Sequence, residues 1–308
     1  MPGLVSGIHV FTMSIGKDVD GWDEPGHDDR EGRVTLAAAA IAQDTFAANR
    51  ATGSIALTVA AAGGVTRRTR VHEDGSLRVR FPNRVGDALE AVIVNTGGGM
   101  TGGDRFSIAL EVNERARLIA GTAAAEKIYR STGADAAMNV ALRVGPGARL
   151  AWLPQETILF DRARLARQIG VELAEEASLV MAEAVVFGRA AMGETMTAGA
   201  WRDQWRVRHR GKLIFAENVR LDGAVAEKLQ AQAVAAGRIA LATVLIAPCN
   251  EAMLAAVRAF EFEGDVGISA WNGLAVARLI APDGQTLRHD LMTILKALDT
   301  PVPRLWLQ

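Results

Sequence analysis

An alternation of apolar and polar residues dominates the chain between residues 53 and 222, and it limits the fold more than any other feature. Successive side chains of a β-strand point to opposite faces, so a period of two predicts strands with one buried face. Three of these segments have apolar residues in phase: Ile55, Leu57 and Val59; Phe106, Ile108, Leu110 and Val112; and Ile169, Val171 and Leu173. One open sheet of so many strands would curl or split. The pattern therefore predicts a mainly β fold of stacked or two-layer sheets.

The last part of the chain, residues 223–308, has a mixed pattern. An Ala- and Gln-rich composition predicts a helix at 226–236. Helical spacing of apolar residues predicts helices at 251–260, behind the capping residue Asn250, and at about 286–298. Apolar runs predict three more strands, at 239–247, 266–271 and 274–281. We therefore expect two to three helices in the C-terminal third.

Two short segments in the β region have the composition of turns. Gly145-Pro146-Gly147 ends one alternating run and starts the next. Glu73-Asp74-Gly75 separates two other runs and predicts a hairpin between them.

The N-terminal residues have a different composition from the rest. Residues 1–33 are rich in glycine and acidic side chains, so they have little apolar surface to bury and predict a flexible extension. The alanine-rich residues 34–50 predict a short, loosely attached helix. We therefore divide the chain into an extension, residues 1–50, and a domain, residues 51–308, made of the β-rich and mixed regions described above.

Charge and cysteine content disfavour several classes of protein. The chain has 34 Lys and Arg against 35 Asp and Glu, a net charge of −1, which argues against a nucleic-acid-binding or membrane-surface protein. Its single cysteine, Cys249, cannot form a disulfide within the chain. We find no signal peptide and no apolar stretch long enough to span a bilayer, so we expect a cytoplasmic protein.

The residues of common catalytic sites are not arranged for catalysis. The five histidines are scattered, and none is paired with another at metal-ligand spacing. No serine lies in a Gly-x-Ser-x-Gly segment, and Cys249 has no base close to it in sequence. The sequence therefore gives no support for a nucleophilic enzyme.

A glycine-rich loop follows the apolar residues 92–94. It contains Gly97, Gly98, Gly99, Gly102 and Gly103. Glycine is used where φ is positive or where backbones approach closely. A phosphate-binding loop would continue with Gly-Lys-Ser/Thr and a helix, whereas this one continues with Asp104 and a strand. We interpret it as a structural connection between strands, with an anion site as the alternative.

Two basic clusters are candidates for contacts with partners. Lys127, Tyr129 and Arg130 lie in an alanine-rich stretch, and Tyr129 is the only tyrosine of the chain. A ring with a polar tip beside two cations is suited to a protein interface, so we predict a partner-binding role for these three residues. The second cluster consists of the arginines at positions 202, 206, 208 and 210, and we interpret it as an exposed strand face.

Five carboxylates in or beside apolar runs are the third group of candidates: Asp104, Glu156, Asp161, Glu183 and Glu194. A buried carboxylate must be paired, protonated or coordinated. Pairing with arginine is one explanation, since Arg105, Arg162 and Arg189 each lie near a candidate in sequence. Neighbouring residues of a regular strand point to opposite faces, which weakens that explanation. A water-filled passage lined by these carboxylates is the other explanation.

Five segments of the chain match one known family in order and spacing. They are Asn95–Arg105 (NTGGGMTGGDR), Ala124–Ser131 (AAEKIYRS), Trp152–Asp161 (WLPQETILFD), Phe187–Glu194 (FGRAAMGE) and Pro303–Trp306 (PRLW). Together they resemble the urease accessory protein family called UreD or UreH, over about residues 53–308. The sequence departs from the family at Gly121–Ala125, where members often have Thr-Thr-Gln-Ala-Ala.

The resemblance implies a β-helix-like, helix-poor scaffold without enzymatic activity. It implies that the protein binds a UreF-type helical accessory protein, through it a UreG-type GTPase that carries nickel, and apo-urease. The GTPase would hydrolyse GTP, which agrees with the absence of Lys and Ser after the glycine loop. No cofactor would be bound permanently, and nickel would be in transit. The five carboxylates would then be transient ligands along a nickel route, because carboxylates and water are suitable ligands for this ion.

Two other functions compete with this interpretation. The first is a β-structured enzyme or ligand-binding protein that uses the glycine loop as an anion site, which nucleotide titration would detect. The second is a nucleic-acid binder that uses the arginine cluster, which salt-dependent binding of RNA or DNA would detect.

Overall fold

A computed structural model of the protein describes residues 50–82 and 86–307. The predicted flexible extension, residues 1–50, lies outside the described residues except for Arg50, and so does the helix predicted within residues 34–50. The account that follows concerns the described part of the chain.

The strands of the described residues form two sheets. Sheet A has the strands β1 (Thr52–Ala62), β2 (Val65–Gly75), β5 (Arg105–Val112), β8 (Ala136–Val144), β11 (Arg164–Leu173), β13 (Gly199–His209) and β14 (Lys212–Gly223), in the order β14-β13-β11-β8-β5-β1-β2. Sheet B has β3 (Leu77–Arg80), β4 (Leu89–Asn95), β6 (Arg117–Thr122), β9 (Arg149–Trp152), β12 (Ser178–Phe187), β15 (Ala240–Ala247), β16 (Asp265–Trp271) and β17 (Leu274–Ala281), in the order β16-β17-β15-β12-β9-β6-β4-β3. Two short strands, β7 (Glu126–Ile128) and β10 (Thr157–Leu159), extend sheet B beside β12.

From β4 to β13 the chain passes alternately through the two sheets, as in a solenoid. Within each sheet the successive strands of this region are parallel, so equivalent residues stack in rows. Ile55, Ile108, Val140 and Ile169 form one such row, and all four are buried between the sheets. The prediction of a mainly β, β-helix-like fold is therefore confirmed.

A short helix, α1 (Val225–Gln230), follows β14 of sheet A and buries Val225 and Leu229 in the core between the sheets. Two further helices, α2 (Glu251–Arg258) and α3 (Gly284–Ala297), form a third layer on the outer face of sheet B. Asn250 caps α2 by accepting a hydrogen bond from the Met253 N–H, as predicted. Leu254 of α2 and the apolar face of α3 pack against sheet B in a second core, separate from the core between the sheets. None of the described helices is long and apolar enough to cross a membrane.

Two local predictions were wrong. The helix predicted at 226–236 is only six residues long, because Ala231 takes an extended conformation and the chain turns back towards β15. Glu73-Asp74-Gly75 is not a hairpin: β2 pairs with β1, whereas β3 pairs with β4 in the other sheet. Gly75, with φ +60°, lies at the corner where the chain changes sheets. Short-range turn composition does not distinguish a hairpin from such a corner, because both need a positive φ.

Candidate functional site

The four longer family-like segments lie on one edge of the solenoid. This edge contains the connections that run from sheet B back to sheet A, residues 96–104, 123–135, 153–163 and 188–198, and we call it the motif edge. Because the coils are parallel and in register, segments that are 30 residues or so apart in sequence become neighbours in space. The fold therefore assembles the matched segments into one surface.

A row of buried side chains forms the inner part of the motif edge. Met100 pairs with Ile128, Ile128 with Leu159, and Leu159 with Phe187. All four are at most 1% exposed. Backbone hydrogen bonds reinforce the row, among them Met100 N to Lys127 O at 2.7 Å and Gly188 N to Leu159 O at 2.7 Å. Each connection is therefore held in place by the next.

An aromatic and cationic stack forms the outer part of the motif edge. The rings of Tyr129 and Phe160 meet edge to face, with centroids 5.0 Å apart. The guanidinium carbon of Arg189 lies 4.2 Å from the Phe160 ring centroid, within the range of a cation–π interaction. Glu194 pairs with Arg189 through both carboxylate oxygens, at 2.6 and 3.1 Å. Met192, beside this pair in sequence, is 73% exposed.

The glycine loop is the first connection of the motif edge. Gly98, Gly99 and Gly103 have positive φ angles. Gly102 has no room for a side chain: a Cβ there would lie 2.3 Å from the Ala134 backbone oxygen. Several loop amides donate within the chain, including Gly97 N to Asn95 Oδ1 and Thr101 N to Asp104 Oδ2. Those amides cannot serve as an anion cradle, which favours the structural interpretation of the loop.

All three predicted partner-binding residues lie on the motif edge. Lys127, Tyr129 and Arg130 are exposed, and the Tyr129 hydroxyl donates to the Gly98 carbonyl oxygen at 3.0 Å. The Tyr129 ring also lies against Gly99, where a Cβ would approach Cε2 to 2.4 Å. The glycine loop thus supports the exposed tyrosine. The role of these residues in partner binding stays a prediction.

Four of the five candidate carboxylates also belong to the motif edge. The buried Asp104 accepts hydrogen bonds from the amides of Ala51 and Thr101, at 2.9 and 2.8 Å. Asp161 accepts from Thr197 and from the Ala198 amide. The slight burial of Asp161 would raise its pKa, but these hydrogen bonds have the larger combined effect and lower it.

The other two carboxylates of the motif edge have arginine partners. Glu194 pairs with Arg189, as described above, and Glu156 lies 3.8 Å from Arg288 of α3. The arginine next to Asp161, Arg162, is 3.6 Å away from it. Each carboxylate thus has its own polar partner. In the described part of the chain, no three His, Cys, Asp or Glu side chains are grouped to hold a metal ion.

The fifth carboxylate, Glu183, lies in the core between the sheets. It is 4% exposed and accepts a hydrogen bond from Trp152 Nε1 at 2.7 Å and another from Arg167. Arg167 also forms a two-contact ion pair with the buried Asp203. Burial raises the pKa of Glu183 despite the opposing charge of Arg167. The structure thus separates Glu183 from the other four candidates.

Sequence analysis missed this buried charge cluster of Arg167, Glu183 and Asp203. The sequence did indicate a buried charge, because Arg167 is in phase with Leu165 and Ile169 on the apolar face of β11. A small cavity of about 20 Å³ borders the cluster, enough for about one water molecule.

Glu126 is a further residue of the motif edge that sequence analysis left without a role. Its Oε1 accepts from Asn95 Nδ2 at 2.9 Å, and the same nitrogen donates to the Gly99 carbonyl oxygen at 3.1 Å. Burial raises the pKa of Glu126 from 4.5 to about 7, although Asn95 and Lys127 oppose the shift. The residue therefore changes charge near neutral pH, next to the glycine loop and the partner-binding candidates.

This raised pKa predicts that stability depends on pH. The folded protein keeps the Glu126 proton up to about pH 7, whereas the unfolded chain loses it near pH 4.5, so stability falls as the pH rises through this window. The free energy of unfolding of the wild type, relative to Glu126→Gln, should fall by about 2–3 kcal/mol between pH 5 and pH 8. Urea unfolding at both pH values measures it, with Glu114→Gln as a surface control. An equal pH dependence in Glu126→Gln and the wild type would contradict the prediction.

Comparisons with known proteins agree with the resemblance found in the sequence. The family model described as UreD urease accessory protein matches residues 51–307. A urease accessory protein UreD from Rhodopseudomonas palustris (strain ATCC BAA-98 / CGA009) is 56% identical over 266 residues, which cover 85% of this chain and 95% of the relative. Another, from Bradyrhizobium diazoefficiens, is 51% identical over 269 residues, which cover 87% of this chain and 98% of the relative.

Proposed function

This chain belongs to the UreD family of urease accessory proteins and has a role in urease maturation, and from that premise we propose that it is a non-enzymatic assembly scaffold. It binds a UreF-type accessory protein, through it a UreG-type GTPase, and apo-urease. Nickel is the cargo of the assembly and is not a resident cofactor of this chain. The motif edge is the surface that serves the partners.

One observation supports this proposal above the others: the motif edge collects four separate family-like segments on one side of the solenoid. Its stack offers the exposed Tyr129 ring beside the half-buried Phe160 ring, cations from Lys127 and Arg130, and the exposed Met192. Aromatic residues, Met and Arg are more frequent at protein interfaces than on the rest of the protein surface. The stack is also held rigidly from below, which lowers the entropic cost of binding.

Replacing Tyr129 and Arg130 with alanine together should weaken binding of one partner by at least tenfold. The exposed ring and cation would be lost, while the buried row from Met100 to Phe187 would stay intact. The measurement is a pull-down with the UreF-type protein and with apo-urease separately. Arg208→Ala, on the outer face of sheet A, is the matched control. Unchanged affinity for both partners would show that these two residues are ordinary surface.

We also propose that carboxylates of the motif edge pass nickel along as transient ligands. Glu156, Asp161 and Glu194 are the best placed, since their side chains are 34%, 29% and 24% exposed and remain in reach of water. Because these carboxylates are not clustered, each would hold the ion weakly and release it. Asp104 and Glu183 are each only 4% exposed and accept hydrogen bonds through both carboxylate oxygens, so they contribute less to such a route.

Glu156→Gln tests this proposal, because the amide keeps the shape of the side chain and removes the charge. Variant complexes that assemble normally should fill urease with nickel several-fold more slowly. Metal content of purified urease and its activity over time are the readouts. Glu114→Gln, on the opposite edge of the solenoid, should leave the rate unchanged. A normal filling rate in Glu156→Gln would remove this residue from the route.

A further inference from the structure

The C-terminal residues 303–307 are folded against the motif edge. Trp306 is 4% exposed, and its Nε1–H donates to the Leu153 carbonyl oxygen at 3.0 Å. Leu153 opens the third connection of the motif edge. The last large side chain that the tail buries therefore contacts one of the connections that form the motif edge.

Arg288 of α3 ties this tail to the same connection. Its Nη2 donates to the Trp306 carbonyl oxygen at 2.9 Å, and its Nη1 donates to Gln155 Oε1 at 2.6 Å. The guanidinium carbon also lies 5.1 Å from the Trp306 ring centroid. Gln155 in turn donates to the Leu305 carbonyl oxygen at 3.4 Å. Loss of the tail would therefore remove the Trp306 carbonyl from Arg288 and the Leu305 carbonyl from Gln155.

Gly121 provides the space that the tail needs. A Cβ at this position would lie 2.6 Å from the Leu153 carbonyl oxygen and 3.0 Å from Pro303 Cγ. Glycine is therefore required at this position because a side chain would not fit. Gly121 is the first residue of the segment that departs from the family pattern, yet it is packed closely here.

Connection 153–163, which the tail contacts, is in turn hydrogen-bonded to the neighbouring connection 123–135. The Glu126 amide donates to the Glu156 carbonyl oxygen at 2.9 Å, and β10 pairs with β7 just beyond. Tyr129 and its stack follow directly after β7. Contacts at Trp306 are thus linked to the exposed stack through one strand pair.

We infer that residues 303–307 act as a clasp that positions the motif edge, with Trp306 and Arg288 as its positioning residues. The clasp joins the helical layer to connections 153–163 and 123–135 and keeps the stack ordered. Its importance for partner binding rests on the proposed function, whereas its effect on order does not. In the absence of the clasp, the two connections should open locally while the solenoid remains folded.

Hydrogen exchange of the full chain, followed by mass spectrometry, tests the clasp. In Trp306→Ala, amides of residues 126–129 and 153–159 should exchange at least tenfold faster, while strands β5 and β8 of sheet A keep their rates. Leu307→Ala is the matched control, because this neighbouring side chain is 68% exposed. Trp306→Phe keeps the ring without the N–H and should give an intermediate effect.

Two outcomes would overturn the clasp. One is the same exchange in Trp306→Ala and Leu307→Ala, and the other is a uniform acceleration over the whole chain, which indicates only a loss of global stability. If Trp306→Ala does not fold, Arg288→Lys provides the test, since it keeps the charge but not the fork of donors. Because exchange is measured on the isolated chain, the clasp can be confirmed even where the motif edge proves to bind no partner.

Discussion

Replacing Arg167 with methionine should lower the free energy of unfolding by about 3–5 kcal/mol, because it leaves two buried carboxylates without their guanidinium partner. Glu183 and Asp203 are each about 4% exposed or less, so water cannot take over the role of the cation. A loss of this size is a large part of the stability of an ordinary domain. Chemical denaturation of wild type and variant measures it.

Two further variants show whether the buried position causes the effect. Arg208→Met removes an exposed arginine that lies 3.5 Å from Glu172, and it should cost less than about 1 kcal/mol. The triple variant Arg167→Met, Glu183→Gln, Asp203→Val removes all three charges and keeps an acceptor for Trp152. It should recover most of the lost stability, because no uncompensated charge remains. Wild-type stability in the single Arg167→Met variant would refute this account of the cluster.

Gly102→Ala should lower the free energy of unfolding by about 3 kcal/mol, because the glycine loop has no space for a side chain at this position. The added Cβ would lie 1.9 Å from Ser131 Oγ and 2.3 Å from the Ala134 carbonyl oxygen. The serine hydroxyl can rotate away, but the carbonyl belongs to the backbone of the next connection. The loop would have to separate from that connection, so binding to partners should also weaken.

Gly133→Ala is the matched control for this prediction. It lies in the connection that Gly102 contacts, and a Cβ there would have no atom within 4 Å. We expect a change below about 0.5 kcal/mol. Gly98→Ala should fall between the two, because its φ of +75° strains any side chain although the space around it is open. Thermal unfolding of all three variants gives the order, and equal melting temperatures would contradict it.

Sequence alone determined the strand pattern and the family. The period of two marks which side chains of β1, β5, β8 and β11 are buried, because that choice depends only on the alternation within one strand. The capped helix after Asn250 was predictable for the same reason, since a cap is a contact between residues three positions apart. The family-like segments were visible because their order and spacing are properties of the chain.

Only the tertiary structure decided what these segments do together. The stacking of Tyr129, Phe160 and Arg189 depends on the register between coils, which local sequence does not encode. The charge on Arg167 was visible on an apolar face, but its two partners come from strands of different sheets. The corner at Gly75 and the fit of Trp306 against Leu153 likewise depend on which elements the fold brings near. Alternation within a strand is local and can be predicted, whereas these contacts are long-range and become visible only when the sheets are packed.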